Sequence, residues 1–280
     1  MPQLDGLGYR DSTIVLTGGS SGMGEAAARI LGELGAKVHI VDIQEPKIAC
    51  AGLTKTDLSE PDQVNATATS LRSIGTIDYL FCCAGIPPNL LGPLKCMLVN
   101  YVGNRQFVEA MLPALKDGAG IAIISSDACL MWQQNLAQNL ELLAIADPRE
   151  ARRWCEQNPD KLRDGYTTSK EMLAVWVQHV AVKLGMERSI RINCIAPCPT
   201  KTAFVDTAVQ ATGPELFENF PYPVLHRMAT PEEQAWPLIL LNSPLNAAVT
   251  GALLYTDQGF VGGVFTGALD GSFMSGPTEE

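Results

Sequence analysis

The sequence predicts an α/β fold in which helices pack on both faces of a parallel, doubly wound sheet. Three observations carry this. Short β-branched or apolar runs alternate with helical patterns along the chain, the order that a parallel sheet requires. The runs "IDYLFCCAG", "GIAIISS" and "SIRINCIAP" are apolar almost throughout, as in strands buried on both faces. A glycine-rich turn, "LTGGSSGMGEAAA", joins the first run to the first helix. No repeat, linker or low-complexity stretch divides the chain, so residues 1–280 read as one domain.

The elements follow in order. "TIVLT" (13–17) is the first strand, and "EAAARILGELG" is a helix that stops at Gly35. "KVHIVD" (37–42) is the second strand and closes on Asp42. "LSEPDQVNATATSLRSIG" predicts a helix with Ser59 as N-cap, Pro61 in its first turn and Asp62 at N3. A strand at 77–85, a long helix over "LVNYVGNRQFVEAMLPALKDG" and a strand at 120–126 come next. Residues 130–164 break the alternation. Leu136, Leu140 and Leu143 fall at i, i+4 and i+7, an amphipathic helix, and Asp147, Pro148 and Glu150 mark the start of another. This segment predicts a helical hairpin inserted before Tyr166. A helix from Tyr166 to about Gly185 and a strand over "SIRINCIAP" follow. Thr230, Pro231 and Glu233 then open a helix that Pro237 kinks, and "ALLYTDQG" (252–259) is the last strand.

Composition narrows the function. Apolar residues make up 46% and charged residues 18%, enough for a real core. A net charge of -10 argues against nucleic acid or an anionic membrane as partner. The opening "MPQLDGLGYRDS" has neither a basic start nor an apolar run, so no signal peptide is expected. No apolar stretch approaches the roughly 20 residues that span a bilayer. Most of the eight cysteines sit in apolar runs, which predicts buried free thiols in a reducing cytoplasm. Their spacing, with only three histidines, predicts no metal site.

Two stretches carry chemistry. In the turn, Gly18, Gly22 and Gly24 let the backbone approach a ligand, and the helix behind them offers unpaired N–H groups to a pyrophosphate. Ser20, Ser21 and Met23 complete this candidate cofactor cradle, spaced G-x3-G-x-G. Asp42, with Ile43 beside it, ends the second strand, where an acid receives adenosine ribose hydroxyls. Its charge repels a 2′-phosphate, and no Arg or Lys in the turn offsets it, so NAD is predicted over NADP. In "GYTTSKEML", Tyr166 and Lys170 stand at i and i+4, one turn apart on one helix face.

With "TGGSSGMG", "VDI", "TDLS", "CCAG", "LVNYVG", "IISS", "YTTSK" and "IAPCPTKT", the chain resembles the short-chain dehydrogenase/reductase family over about residues 10–260. The resemblance implies a Rossmann-type sheet of about seven strands, a nicotinamide cofactor, and a catalytic tetrad of Asn100, Ser126, Tyr166 and Lys170. It places Asp57 at the adenine amino group, with Leu58 beside it. Cys83, Ala84, Gly85 and Pro197 join the cofactor contacts, and Thr200 and Thr202 lie at the nicotinamide end. Two motifs depart from the family pattern: "NAG" reads Cys83-Ala84-Gly85, and "PG" reads Pro197-Cys198-Pro199. Tyr166 lies 40 positions after Ser126, where most of the family has about a dozen, which resembles the bacterial 3α-hydroxysteroid dehydrogenase/carbonyl reductase branch.

By this resemblance Tyr166 is the acid/base. A free phenol has a pKa near 10, and Lys170 with the nicotinamide charge is expected to lower it. Ser126 is expected to bond the substrate oxygen, Lys170 the ribose hydroxyls, and Asn100 a proton-relaying water. Candidate substrate contacts are Pro87, Met131, Trp132 and Phe204, the last in a lid over residues 200–228. Lys201 and Arg227 are the lid's only basic residues, so a mainly apolar cyclic or aromatic alcohol or ketone is expected, a steroid among the candidates. A homodimer or homotetramer in the cytoplasm completes the expectation. The alternative is a non-catalytic dinucleotide sensor or scaffold on the same fold.

Overall fold

In the computed structural model, which describes residues 5–271, seven strands form one parallel sheet. They are β1 (Thr13–Thr17), β2 (Lys37–Asp42), β3 (Gly52–Lys55), β4 (Ile77–Cys82), β5 (Leu115–Ile124), β6 (Arg191–Pro197) and β7 (Leu253–Thr256). Their order is β3-β2-β1-β4-β5-β6-β7. The winding reverses between β1 and β4, which opens a crevice beyond their carboxyl ends. Residues 1–4 and 272–280 of the expected single domain lie outside the described residues.

The helices are α1 (Gly22–Glu33), α2 (Pro61–Arg72), α3 (Gly92–Met97), α4 (Asn104–Met111), α5 (Leu136–Leu143), α6 (Pro148–Gln157), α7 (Pro159–Leu162), α8 (Tyr166–Arg188), α9 (Ala203–Thr212), α10 (Glu215–Glu218), α11 (Pro231–Asn242) and α12 (Phe260–Thr266). Successive strand residues point to opposite faces. Val15, Val41, Leu80, Ile121, Ile123 and Ile192 pack with apolar residues of α2, α4 and α8. Ile14, Leu16, Ile40, Phe81, Ala122 and Ile195 pack with those of α1 and α11. Both faces are therefore covered, which explains why the strand runs read as apolar rather than alternating. Among the described residues no helix is long and apolar enough to cross a membrane.

Several elements differ from the sequence reading. Glu60, not Ser59, stands at the N-cap of α2; Ser59 Oγ donates instead to Asp57 Oδ1 at 2.7 Å. The long helix expected from Leu98 is broken. Leu98–Gly103 is a π-helical turn, α4 follows it, and a 3-10 turn at Leu112–Ala114 ends the run at Pro113. β5 then begins at Leu115, five residues before the expected start. β3 escaped notice because "GLTK" is a half-exposed edge strand with no apolar run. α8 runs past Gly185 to Arg188 and closes on Ser189 in a left-handed conformation (φ 54°). Pro237 lies inside α11, which continues to Asn242 behind the capping box of Thr230 and Glu233.

The inserted segment holds α5, α6 and α7, three helical pieces rather than a hairpin of two. Leu140 is 45% exposed, so the leucine triad is not the buried face. Buried there are Asn139, Leu142 and Leu143, because α5 turns toward Glu171 on α8. The Glu171 side chain is 0% exposed and accepts from Asn135 Nδ2 at 3.0 Å, Asn139 Nδ2 at 3.4 Å and Arg163 Nη2 at 2.7 Å. A buried carboxylate needs such partners, and these partners need it. Replacing Glu171 with Ala should destabilise the chain by about 3 kcal/mol, read from urea unfolding. Unchanged stability would show that the insertion is held by its apolar contacts alone.

Candidate active site

The turn after β1 is shaped by what cannot fit. Gly18 (φ +72°) passes so close to the loop after β4 that a Cβ there would lie 2.5 Å from Ala84 N. A Cβ on Gly24 would lie 2.0 Å from Gly18 O. Gly22 has φ +57°, and a Cβ there would come 3.3 Å from Thr202 Cγ2, so the first lid residues border the turn. Ser21 is the N-cap of α1 and makes no side-chain cap bond, and Met23 is partly buried against the α1 core. These residues form a cradle at the start of a helix, suited to a pyrophosphate.

Asp42 fixes that cradle from β2. Its Oδ2 accepts Ser20 N–H and its Oδ1 accepts Gln44 N–H, each at 3.0 Å, while Ser20 Oγ donates to Gln44 O at 2.8 Å. Ile43, beside it, is exposed. Asp57 binds Ser59 and forms an ion pair with Lys95 at 2.9 Å. Burial works against its charge, but the bonds from Ser59 and Lys95 outweigh it and hold the carboxyl below its ordinary range. Leu58 is buried, and its carbonyl closes on the π-helical turn, where a Cβ on Gly103 would lie 2.0 Å away.

Asn100 is fully buried in that turn. Its Oδ1 accepts Ile86 N–H at 2.8 Å and its Nδ2 donates to Ile86 O at 3.0 Å. The side chain thus straps the loop of Cys83, Ala84, Gly85 and the buried Pro87. Asn104 adds a bond to Ala84 O at 3.0 Å. A Cβ on Gly85 would sit 3.3 Å from Asn100 Oδ1 and 3.8 Å from Lys170 Nζ, so these three groups share one wall.

Tyr166 opens α8 behind Gly165 (φ +73°), and Asp164 Oδ1 accepts Thr167 N–H at 2.8 Å in that first turn. Lys170 Nζ lies 5.5 Å from the Tyr166 ring centroid and donates to Ile124 O at 3.0 Å. Burial pulls its ammonium down to about 8, against the opposing pull of neighbouring thiols such as Cys96. Tyr166 lies beside Ser126, and the Phe204 ring approaches the Tyr166 ring at 5.8 Å between centroids. Lys170 by itself does not bring the Tyr166 pKa below its ordinary value. Burial raises it, the negative charge of Asp127 adds to this, and the Ser126 hydroxyl only partly offsets them.

Ser126 lies at the end of β5 and also touches a residue the sequence reading missed. Its hydroxyl donates to Asp127 Oδ1 at 3.0 Å, and its Oγ accepts Ala128 N–H at 3.2 Å. Asp127 is buried, and burial pushes its carboxyl up to about 7. The signal was present as an acid directly after an apolar strand and a candidate serine.

On the lid side, Pro197 ends β6 and Thr200 pairs with Ala229, closing the lid at its base. Thr202 caps α9. Met131 packs against the lid cluster of Phe220, Tyr222 and Phe260, whereas Trp132 turns away to Cys129, Ala174 and Ala196.

Known proteins resemble this chain in sequence and in fold. A family model described as short chain dehydrogenase matches residues 12–138, and one described as Enoyl-(Acyl carrier protein) reductase matches residues 158–261. The coniferyl-alcohol dehydrogenase of Pseudomonas sp. (strain HR199 / DSM 7063) is 35% identical over 202 residues, covering 72% of this chain and 78% of its own. The 3-alpha-hydroxysteroid dehydrogenase/carbonyl reductase of Comamonas testosteroni is 31% identical over 258 residues, covering 89% of this chain and 96% of its own. The 3-alpha-hydroxysteroid dehydrogenase of Pseudomonas sp. B-0831, solved with NADH, superposes with a TM-score of 0.76 at 24% identity over 92% of this chain and all of its own. Solved chains of this fold include complexes with NADH and with NADPH. On its sequence similarity to these relatives, with the same sheet behind it, the chain belongs to the short-chain dehydrogenase/reductase family.

Proposed function

We propose that the chain is an NAD-dependent oxidoreductase that interconverts a secondary alcohol and a ketone on a mainly apolar cyclic or aromatic substrate. The observation that carries this reading is the meeting of Tyr166, Ser126 and Lys170 beneath Phe204, on the crevice that also holds the glycine cradle. The coniferyl-alcohol and 3-alpha-hydroxysteroid dehydrogenases named above support the substrate class.

The residues present fit a nicotinamide dinucleotide. Gly18, Gly22 and Gly24 leave the room that side chains would fill, and α1 presents its N-terminus there. When bound, the dinucleotide supplies or accepts the hydride. Tyr166, neutral in its enclosed site, is set to donate a proton to a carbonyl oxygen as that oxygen gains charge. Ser126 holds the same oxygen in place. Lys170 keeps a positive charge one turn below, which favours the phenolate once the proton has left. Phe204 and the lid cluster exclude water from the exchange.

The exposed apolar residues Val182 and Met186 on α8, with Trp236 and Leu240 on α11, support self-association as a homodimer or homotetramer. All eight cysteines are free thiols, which supports a cytoplasmic setting.

Hydride transfer should be seen by nicotinamide absorbance on a panel of cyclic and aromatic alcohols and ketones. Dinucleotide binding without turnover of any of them would favour the sensor reading. Tyr166→Phe should lower kcat by at least about a thousandfold while NADH binding, measured by fluorescence, persists. Two unit charges about 4 Å apart interact by about 4 kcal/mol at an effective dielectric near 20, and screening reduces this. Asp42 should therefore favour NAD by a factor of about ten or more. Asp42→Ala should narrow the NAD to NADP ratio of kcat/KM by about that factor, and comparable ratios in both proteins would remove the role of Asp42.

A further inference from the structure

The tetrad chemistry has no use for Asp127, yet this residue makes the closest claim on Ser126. A serine hydroxyl has one proton and two lone pairs. Ala128 N–H takes one lone pair of Ser126 Oγ, and the single proton points to Asp127 Oδ1. In that arrangement Ser126 has no donor left for a substrate oxygen. A neutral Asp127 reverses the direction. Its own O–H donates to Ser126 Oγ, and the serine proton turns to the reacting oxygen while Tyr166 gives its proton to the same atom.

We propose that Asp127 is a positioning residue that decides where the Ser126 proton points, its neutral carboxyl turning that proton toward the reacting oxygen and its carboxylate holding it away. The inference rests on the hydride-transfer reading of Ser126 given above. The titratable groups facing Asp127 are Asp257 after β7, Tyr166 on α8, Cys198 after β6, Tyr222 in the lid and Cys129 on its own turn. None of these is a cation. Burial raises the Asp127 carboxyl to about 7, Asp257 adds to the rise, and the Ser126 hydrogen bond opposes it. The donor is therefore available below that pH and withdrawn as pH rises through it, so ketone reduction weakens in that direction.

The test compares wild type with Asp127→Asn, whose amide donates to Ser126 Oγ at every pH. With NADH and acetophenone, wild-type kcat/KM should fall by about tenfold per pH unit above the Asp127 midpoint. Asp127→Asn should lose that fall and keep the low-pH rate; a fall of the same midpoint and slope in the variant overturns the proposal. Lys170 titrates nearby, and its contribution stays in both proteins. An infrared difference titration of wild type needs neither turnover nor a folded Asp127 variant. A protonated carboxyl band should titrate near pH 7 and shift to higher pH in Ser126→Ala, which loses a bond to the carboxylate. No such band, with turnover intact, overturns the proposal alone. A titrating band with no turnover of any ketone overturns the hydride-transfer reading, and the proposal falls with it.

Discussion

Two hydrogen bonds between α8 and β5 hold the site together. Lys170 Nζ donates to Ile124 O at 3.0 Å, and Ser125 Oγ donates to Lys170 O at 2.8 Å. One lysine is thus tied through its side chain and its backbone to the last two residues before Ser126. Tyr166 stands one helical turn earlier on the same face, so the clamp also sets where its phenol meets Ser126. Both bonds are buried, where an unpaired ammonium would be expensive, so the register between strand and helix has little freedom to slip.

The same burial governs the charges. It raises the pKa values of Tyr166 and Asp127 and lowers that of Lys170, so enclosure works against every charge in the site. A pairwise argument from Lys170 to Tyr166 misses this, because it counts the cation and omits the cost of removing the phenolate from water. In the chain alone, the phenol is a proton donor first. It becomes a base only with help from a further positive charge in the crevice. This asymmetry is a property of how the lid, through Phe204, and the buried floor, through Ser126 and Asp127, surround one hydroxyl.

Periodicity exposed most of the sheet, because buried parallel strands leave long apolar runs and glycine or proline marks their ends. It missed β3, whose four residues are half exposed, and it misplaced the start of β5, since Leu115–Lys116–Asp117–Gly118 reads as a helix tail. The pair Tyr166 and Lys170 was legible because a single helix sets its spacing. Contacts across the fold were not. Asp57 pairs with Lys95, 38 positions away, and Asn100 is used on Ile86, 14 positions away. In neither case does local spacing distinguish a ligand contact from an internal strap.

The insertion shows why such long-range contacts matter for the site. Lys170 and Glu171 are neighbours on α8, yet they serve different sides of the helix. Lys170 reaches β5 and the crevice, whereas Glu171 gathers Asn135, Asn139 and Arg163 from the inserted segment. Arg163 also donates from Nε to Thr168 Oγ1 at 2.9 Å, two residues after Tyr166. The segment that lengthens the path from Ser126 to Tyr166 therefore ends by bracing the first turns of the helix that carries Tyr166. A long excursion would otherwise loosen that helix, since closing a longer loop constrains its ends less. Here a buried carboxylate next to Lys170 converts the excursion into a support, and the position of the phenol depends on both faces of α8 being held.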